Sequence, residues 1–292
     1  MATVAEWAEG ARPRTLPAAL APVLAGSGVA WFENGFDPLL AALALVVSLA
    51  LQIGVNYAND YSDGIRGTDA VRVGPMRLVG SGAARPGQVK AAAFAAFAVA
   101  AVAGLVIVLL TGHWWLLGLG AAAIAAAWFY TGGRNPYGYL GLGELFVFIF
   151  FGLVAVAGTV YIQVGQVSAT AWWTAVAIGA LACAILVANN LRDLEGDRTS
   201  GKRTLATRLG DTGTRRFFVG LITLAALAVF AAAATSSWWA LLGLLMLVPL
   251  VGPVREVLGG VGGAALIPVL KRTGLAELAC AAGLCAGLLI AH

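Results

Sequence analysis

The chain has too little charge to be a water-soluble domain. Asp, Glu, Lys and Arg make up 11% of its 292 residues, against about 25% in soluble globular domains. That leaves too little polar surface to clothe a soluble body. Cysteine is equally sparse. Cys183, Cys280 and Cys285 lie in apolar stretches with no CxxC and no nearby His, so they read as small buried hydrophobes, not as a metal ribbon or a disulfide framework. The two histidines, His113 and His292, fall between helices and at the end of the chain and bring no partners for a metal. No cleavable leader is evident, because the first apolar block opens near Leu16 and is interrupted by Pro17 and Pro22. It is expected to stay as a membrane helix.

What the chain does have is apolar sequence, 60% of all residues with a mean hydropathy of +0.88. It comes in blocks near the ~20 residues that an α-helix needs to cross a bilayer. The blocks predict an all-α, polytopic bundle of nine helices, near 16–33, 39–59, 89–111, 114–131, 141–163, 171–191, 217–234, 238–254 and 273–291. The whole chain, 1–292, reads as one integral membrane domain. Many of the 38 glycines lie inside these blocks, where small residues let helices approach closely. The Gly-rich segment 252–272 is the place for a short re-entrant or interfacial piece.

The net charge of +4 does not indicate nucleic acid, because the bases sit between apolar blocks. With nine crossings, the N-terminus and the loops after helices 2, 4, 6 and 8 share one face. That face holds all 18 Lys and Arg, and the opposite loops carry Glu33 and Asp37 but no base. The positive-inside rule then puts the N-terminus in the cytoplasm. Trp7, Trp31, Trp114, Trp115, Trp172, Trp238 and Trp239 lie near helix ends, as belt residues do.

Two cytoplasmic loops are long, about 60–90 and 192–216, and they open alike. One begins Asn56-Tyr57-Ala58-Asn59-Asp60-Tyr61-Ser62-Asp63 and the other Asn189-Asn190-Leu191-Arg192-Asp193-Leu194-Glu195-Gly196-Asp197. Residues three and four apart share a helix face, so Asn56, Asp60 and Asp63 point together, as do Asn189, Asp193 and Asp197. Each set is an oxygen-rich site suited to a hard cation such as Mg2+. Mg2+ is usually held by one or two carboxylates together with substrate phosphates. Two such sites with Arg66, Arg77, Arg192, Arg198, Lys202 and Arg203 nearby therefore suggest a diphosphate bridged by metal, its remaining oxygens bound by the bases. The amide of Asn59 would join those contacts. A lone Asp at a helix end is usually an ordinary polar residue. Two clusters on one face, each backed by a basic loop, favour function. Asp69 either joins the first motif or only caps the loop, and Glu144 is as well read as structural as functional.

These residues resemble the UbiA superfamily of membrane prenyltransferases. More narrowly they resemble its MenA-type branch, whose acceptor is 1,4-dihydroxy-2-naphthoate. The similarity runs in order through Ala11-Arg12-Pro13-Arg14-Thr15-Leu16-Pro17, Asn59-Asp60-Tyr61-Ser62-Asp63-Gly64 and Gly67-Thr68-Asp69. It continues through Tyr130-Thr131-Gly132-Gly133 with Pro136 to Glu144, Asn189 to Asp197 with Gly201-Lys202-Arg203-Thr204-Leu205-Ala206, and Ile267-Pro268-Val269-Leu270-Lys271. One departure is Gly67, where the superfamily often has a further Asp.

The resemblance implies nine helices around a central cavity that opens toward lipid, in a bacterial plasma membrane with the site facing the cytoplasm. It implies two Mg2+ ions on the diphosphate, one on Asp60 and Asp63 and one on Asp193 and Asp197, assisted by Asn56 and Asn189. Lys202 and Arg77 would stabilise the leaving group, and Tyr137 and Tyr139 are candidates to orient the acceptor. The implied reaction joins a polyprenyl group to the naphthoate, with loss of CO2 and diphosphate, to give demethylmenaquinone. Alternatives are another aromatic acceptor such as 4-hydroxybenzoate, a CDP-alcohol phosphotransferase, disfavoured because the two acidic pairs are far apart in the chain, and a secondary transporter, whose ion sites usually lie at the bilayer midplane.

Overall fold

In the computed structural model, residues 2–67 and 76–292 are described; Thr68 and Asp69 lie outside them. Apolar runs become helices where the chain supplies a start and a stop. After a short amphipathic helix α1 (Val4–Gly10) and a single 3-10 turn come α2 (Pro17–Phe32) and α3 (Pro38–Arg66). Asp37 starts α3 by accepting the N–H groups of Leu39 and Leu40 at 2.8 and 3.0 Å, with Pro38 pre-set at the first position. Gly67, at φ 70°, ends it. Then follow α4 (Pro86–Thr111), α5 (Leu116–Phe129), α6 (Gly143–Val164) and α7 (Ala169–Arg192). The set closes with a short α8 (Leu194–Thr199), then α9 (Leu205–Ala234), α10 (Trp238–Leu258) and α11 (Gly263–Ile290).

The expected segments overlap helical stretches of the described residues. Among the described residues, seven rods are long and apolar enough to cross a membrane, and an eighth if Val4–Thr15 and Pro17–Phe32, bent by 49°, count as one span. α5, at 14 residues, is shorter than that. Two boundaries differ from expectation. α9 begins twelve residues before position 217, so much of the expected loop 192–216 is helical; it breaks at Gly210, whose φ of 70° and ψ of 179° suit glycine. Segment 252–272 is not re-entrant: α10 runs to Leu258, a tight turn follows, and α11 starts at Gly263.

The bundle has two sectors. α7 is the most enclosed rod, and its Ala171, Ala175, Ala177, Ala180, Ala184 and Ala188 are fully buried, with α2, α6, α9 and α11 packed around it. Helix packing in lipid rests on such close, small-residue contact. At the α6–α7 crossing a Cβ on Gly152 would fall 2.5 Å from the Cα of Gly179. α3 packs on α4, and α5 against both.

Between the sectors lies a chamber of about 530 Å³, walled by α3, α4, α5 and α6 with Val23 of α2. α6 winds as a π-helix over Phe148–Ala157, and this wider turn sends Phe150, Phe151 and Val154 to the chamber while Gly152 meets α7. Such segments recur at functional sites. The chamber is polar at one end, around Asn56, Asn59, Tyr130 and Tyr137, and apolar at the other, around Ile107, Leu116 and Ile162. Ala101, Leu105, Leu117 and Ala121 line it and are also exposed outside. It therefore opens sideways between α4 and α5.

Candidate active site

The last turns of α3 hold the first motif. Asp60 is 1% exposed, and its two oxygens accept the backbone N–H groups of Leu78 (2.7 Å) and Val79 (3.0 Å). It folds the following loop back onto α3. One turn on, Asp63 takes Arg77 at 3.3 Å on one oxygen and the Tyr139 hydroxyl on the other. Asn59 accepts from Thr131 at 2.7 Å. Arg66 donates to the carbonyls of Thr131 and Gly133. The amide of Asn56 turns instead to Ala11 and Thr15 of the N-terminal segment.

The second motif sits where α7 ends and α8 begins. Arg192 grips its neighbour Asp193 with a two-pronged fork, Nε–Oδ1 2.7 Å and Nη2–Oδ2 2.6 Å. Asn189 is half-buried one turn earlier. Lys202 Nζ lies 3.6 Å from Asp197 Oδ1, and its own N–H donates to the Asp197 carbonyl at 3.0 Å. Arg198 is exposed and leans toward Glu195 at 3.9 Å.

The stretch from Tyr130 to Leu142 joins the motifs. Tyr139 donates to Asp63 of the first motif, while Lys202 of the second lies 4.6 Å over its ring and the Arg66 guanidinium 5.5 Å. The Arg203 N–H, whose side chain is exposed, donates to the Tyr139 carbonyl at 3.0 Å. The two motifs thus converge at the polar mouth of the chamber.

The two tyrosines expected to orient an acceptor part company here. Tyr139 belongs to the charged cluster. Tyr137 lines the chamber, stacks on Phe146 at 4.1 Å and donates to the Ala126 carbonyl at 2.8 Å. Burial pushes the Tyr137 phenol above its ordinary range, so it stays a neutral donor. Glu144 accepts from Asn190 at 2.9 Å, a buried polar pair linking α6 to α7. Sequence reading gave no role to Asn190, Gln52, Thr15 or Tyr130. Asn190, next to Asn189, and the position of Gln52 one turn before Asn56 were the available signals.

The donors fit Mg2+. The motif acids are all carboxylate oxygens, and no group of three or more His, Cys, Asp or Glu among the described residues is gathered closely enough to cage an ion. A hard cation that completes its shell with phosphate and water needs one or two carboxylates from each motif. The cations now resting on the acids, Arg77, Arg192 and Lys202, hold the buried negative charge in balance.

Comparison with known proteins gives the same fold and a family. The chain is 53% identical over 281 residues to a 1,4-dihydroxy-2-naphthoate octaprenyltransferase of Mycobacterium tuberculosis, covering 95% of this chain and 94% of that one. It is 39% identical over 275 residues to the protein of that name from Escherichia coli, with 91% and 89% covered. An apo structure of a UbiA homolog from Aeropyrum pernix superposes with a TM-score of 0.70 at 17% identity, covering 94% and 97%. A UbiA homolog from Archaeoglobus fulgidus bound to DMAPP and Mg2+ gives 0.62 at 16%, covering 98% and 99%. Residues 19–258 match the UbiA prenyltransferase family, and with carboxylates from two motifs meeting over an apolar chamber, the chain belongs to that family.

Proposed function

We propose that this protein transfers a polyprenyl group from polyprenyl diphosphate to 1,4-dihydroxy-2-naphthoate, releasing CO2 and diphosphate. The observation that carries the reading is the joining of the two acidic motifs at Tyr139, which donates to Asp63 and lies under Lys202, the partner of Asp197, beside the polar end of the apolar chamber. The names of the relatives supply the acceptor. We further infer nine crossings with the N-terminus in the cytoplasm, two Mg2+ ions, and a bacterial plasma membrane. The one-sided placement of every Lys and Arg supports the orientation.

Asp60 and Asp63 would hold one ion and Asp193 and Asp197 the other. Bound Mg2+ would neutralise charge that develops on the diphosphate as it leaves. The chain's own part follows from its geometry. Arg77, Arg192 and Lys202 bind phosphate oxygens and so stabilise the departing group. The C1–O bond of the donor breaks, its electron pair leaving with the diphosphate and an allylic cation remaining. The chamber keeps water from that cation, and Tyr130, Tyr137, Phe146 and Phe150 along its wall offer π-faces to it. The electron-rich ring carbon that bears the carboxylate attacks. The C–C bond to the carboxylate then breaks, CO2 departs, and its electron pair restores the aromatic ring. The product is the naphthoquinol form of a demethylmenaquinone.

The test is an assay of purified protein in detergent with Mg2+ and labelled polyprenyl diphosphate. The naphthoate and 4-hydroxybenzoate go in parallel tubes, and EDTA in a third. Labelled naphthoquinol formed only with Mg2+ and the naphthoate is the expected result. Product with 4-hydroxybenzoate alone would move the acceptor. No product from folded protein would remove the assignment.

A further inference from the structure

Asn56 stands one turn before Asp60, but its side chain serves another segment. Its Nδ2 donates to the Ala11 carbonyl and to Thr15 Oγ1, both at 2.9 Å. The Thr15 hydroxyl spends its proton on the Arg12 carbonyl at 2.9 Å, so its oxygen can only accept. It accepts from Asn56 and from Gln52 Nε2 at 2.9 Å. This network fixes the amide orientation, since only the nitrogen of Asn56 can face a carbonyl and an accepting hydroxyl together. Beside it on α3, the Tyr57 hydroxyl donates to the Trp7 carbonyl at 2.9 Å. Gln52, Asn56 and Tyr57 therefore strap residues 7–15 across the end of α3.

The strap holds a strained residue. Arg12 has φ 54° and ψ 70°, a left-handed conformation that side-chain-bearing residues avoid. Pro13 follows it, and a residue before proline prefers extended backbone. Such strain persists only where the surroundings over-determine it. Arg12 lies between Ala11 and Thr15, both bonded to Asn56 one turn from Asp60, and its charge acts on the Asp60 carboxylate.

We propose that Asn56 is a positioning residue: it pins the N-terminal strap to α3 and so holds the Arg12 cation beside the first acidic motif, where Arg12 binds an oxyanion of the substrates. That oxyanion is the donor's diphosphate or the acceptor's carboxylate, and the two differ in which KM moves. Only the kinetic part rests on the prenyltransferase reading.

The test uses the full chain in detergent with Asn56→Ala, Asn56→Asp, Thr15→Val and the double variant Asn56→Ala/Thr15→Val. Hydrogen exchange is read first, without Mg2+ or substrate. Each single variant is expected to speed exchange of backbone amides in 7–15 by about fivefold or more, since Asn56→Ala removes two hydrogen bonds and Thr15→Val three, with the rest of the bundle unchanged. The double variant should fall short of the product of the two, because both break one network. Kinetics come second. Asn56→Ala and Thr15→Val should raise the same KM, for diphosphate or for naphthoate, and leave the half-activating Mg2+ concentration where it was. Asn56→Asp keeps an oxygen for a metal but loses the donor, so its exchange should match Asn56→Ala. Unchanged exchange in 7–15, or a Mg2+ requirement that moves in Asn56→Ala and not in Thr15→Val, would overturn the proposal. The exchange result stands whether or not the wild type prenylates the naphthoate.

Discussion

Lys202 lies 4.6 Å above the ring of Tyr139, and through that contact the second acidic motif touches the residue that donates to Asp63 of the first. Tyr139 is thus the joint between two motifs separated by more than a hundred positions. Its hydroxyl and its ring do different work. Tyr139→Phe keeps the ring under Lys202 and loses the donor. A hydrogen bond to a charged group is worth ~1.5–3 kcal/mol, so kcat/KM should fall by about tenfold or more. Tyr139→Leu also removes the cation–π contact, worth ~0.5–2 kcal/mol, and should fall further. Steady-state kinetics on the two variants will show whether the losses stack in that order.

The acids should separate by stability. Asp60→Asn and Asp193→Asn are each expected to lower turnover by ~100-fold or more, as loss of a transition-state charge partner does. Asp60 also satisfies two backbone N–H groups, and an amide can accept only one of them well. Leaving a buried N–H unsatisfied costs ~1–3 kcal/mol. Asp193→Asn also loses one prong of the Arg192 fork, but Asp193 is only half-buried, where water can replace it. Thermal unfolding in detergent should therefore drop clearly for Asp60→Asn and little for Asp193→Asn.

Gly104 offers a way to divide donors by length. It lines the chamber on α4, and no atom lies within 4 Å of where its Cβ would be. Gly104→Trp should fold and insert while narrowing the sideways opening. Transfer from a long polyprenyl diphosphate should then fall about tenfold more than transfer from a ten-carbon donor, ~1.4 kcal/mol of selective barrier. Equal losses for both donors would place the tail elsewhere.

The α6–α7 crossing tolerates no side chain. Gly152→Val would drive a Cβ to 2.5 Å from the Gly179 Cα. Overpacking of this kind costs ~1–3 kcal/mol or more, and the displaced α6 would carry Phe150 and Phe151 out of the chamber wall. Both melting temperature and activity should fall.

The acidic motifs were legible because their spacing alone places Asp60 with Asp63, and Asp193 with Asp197, on one helix face. The rods were legible because the apolar blocks run near the length of a membrane helix. What Asp60 does with its oxygens was not legible, since its partners are backbone N–H groups 18 and 19 positions on, and every sequence has those. The early start of α9 was missed because residues 207–216 are polar. Hydropathy reports what lipid would exclude, and a helix at the water surface escapes it. Spacing says which face Asn56 shares with Asp60, but not which way its amide nitrogen turns.

All 14 residues of α5 keep some exposure, and this thinly packed rod closes only part of one chamber wall. Lipid chains would be left to complete it. A prenyl tail too long for about 530 Å³ would then continue among them, dissolved in the bilayer. Such a protein would count no isoprene units. The length of the quinone tail would be decided earlier, by whichever synthase builds the diphosphate, and this chain would join whatever it is handed.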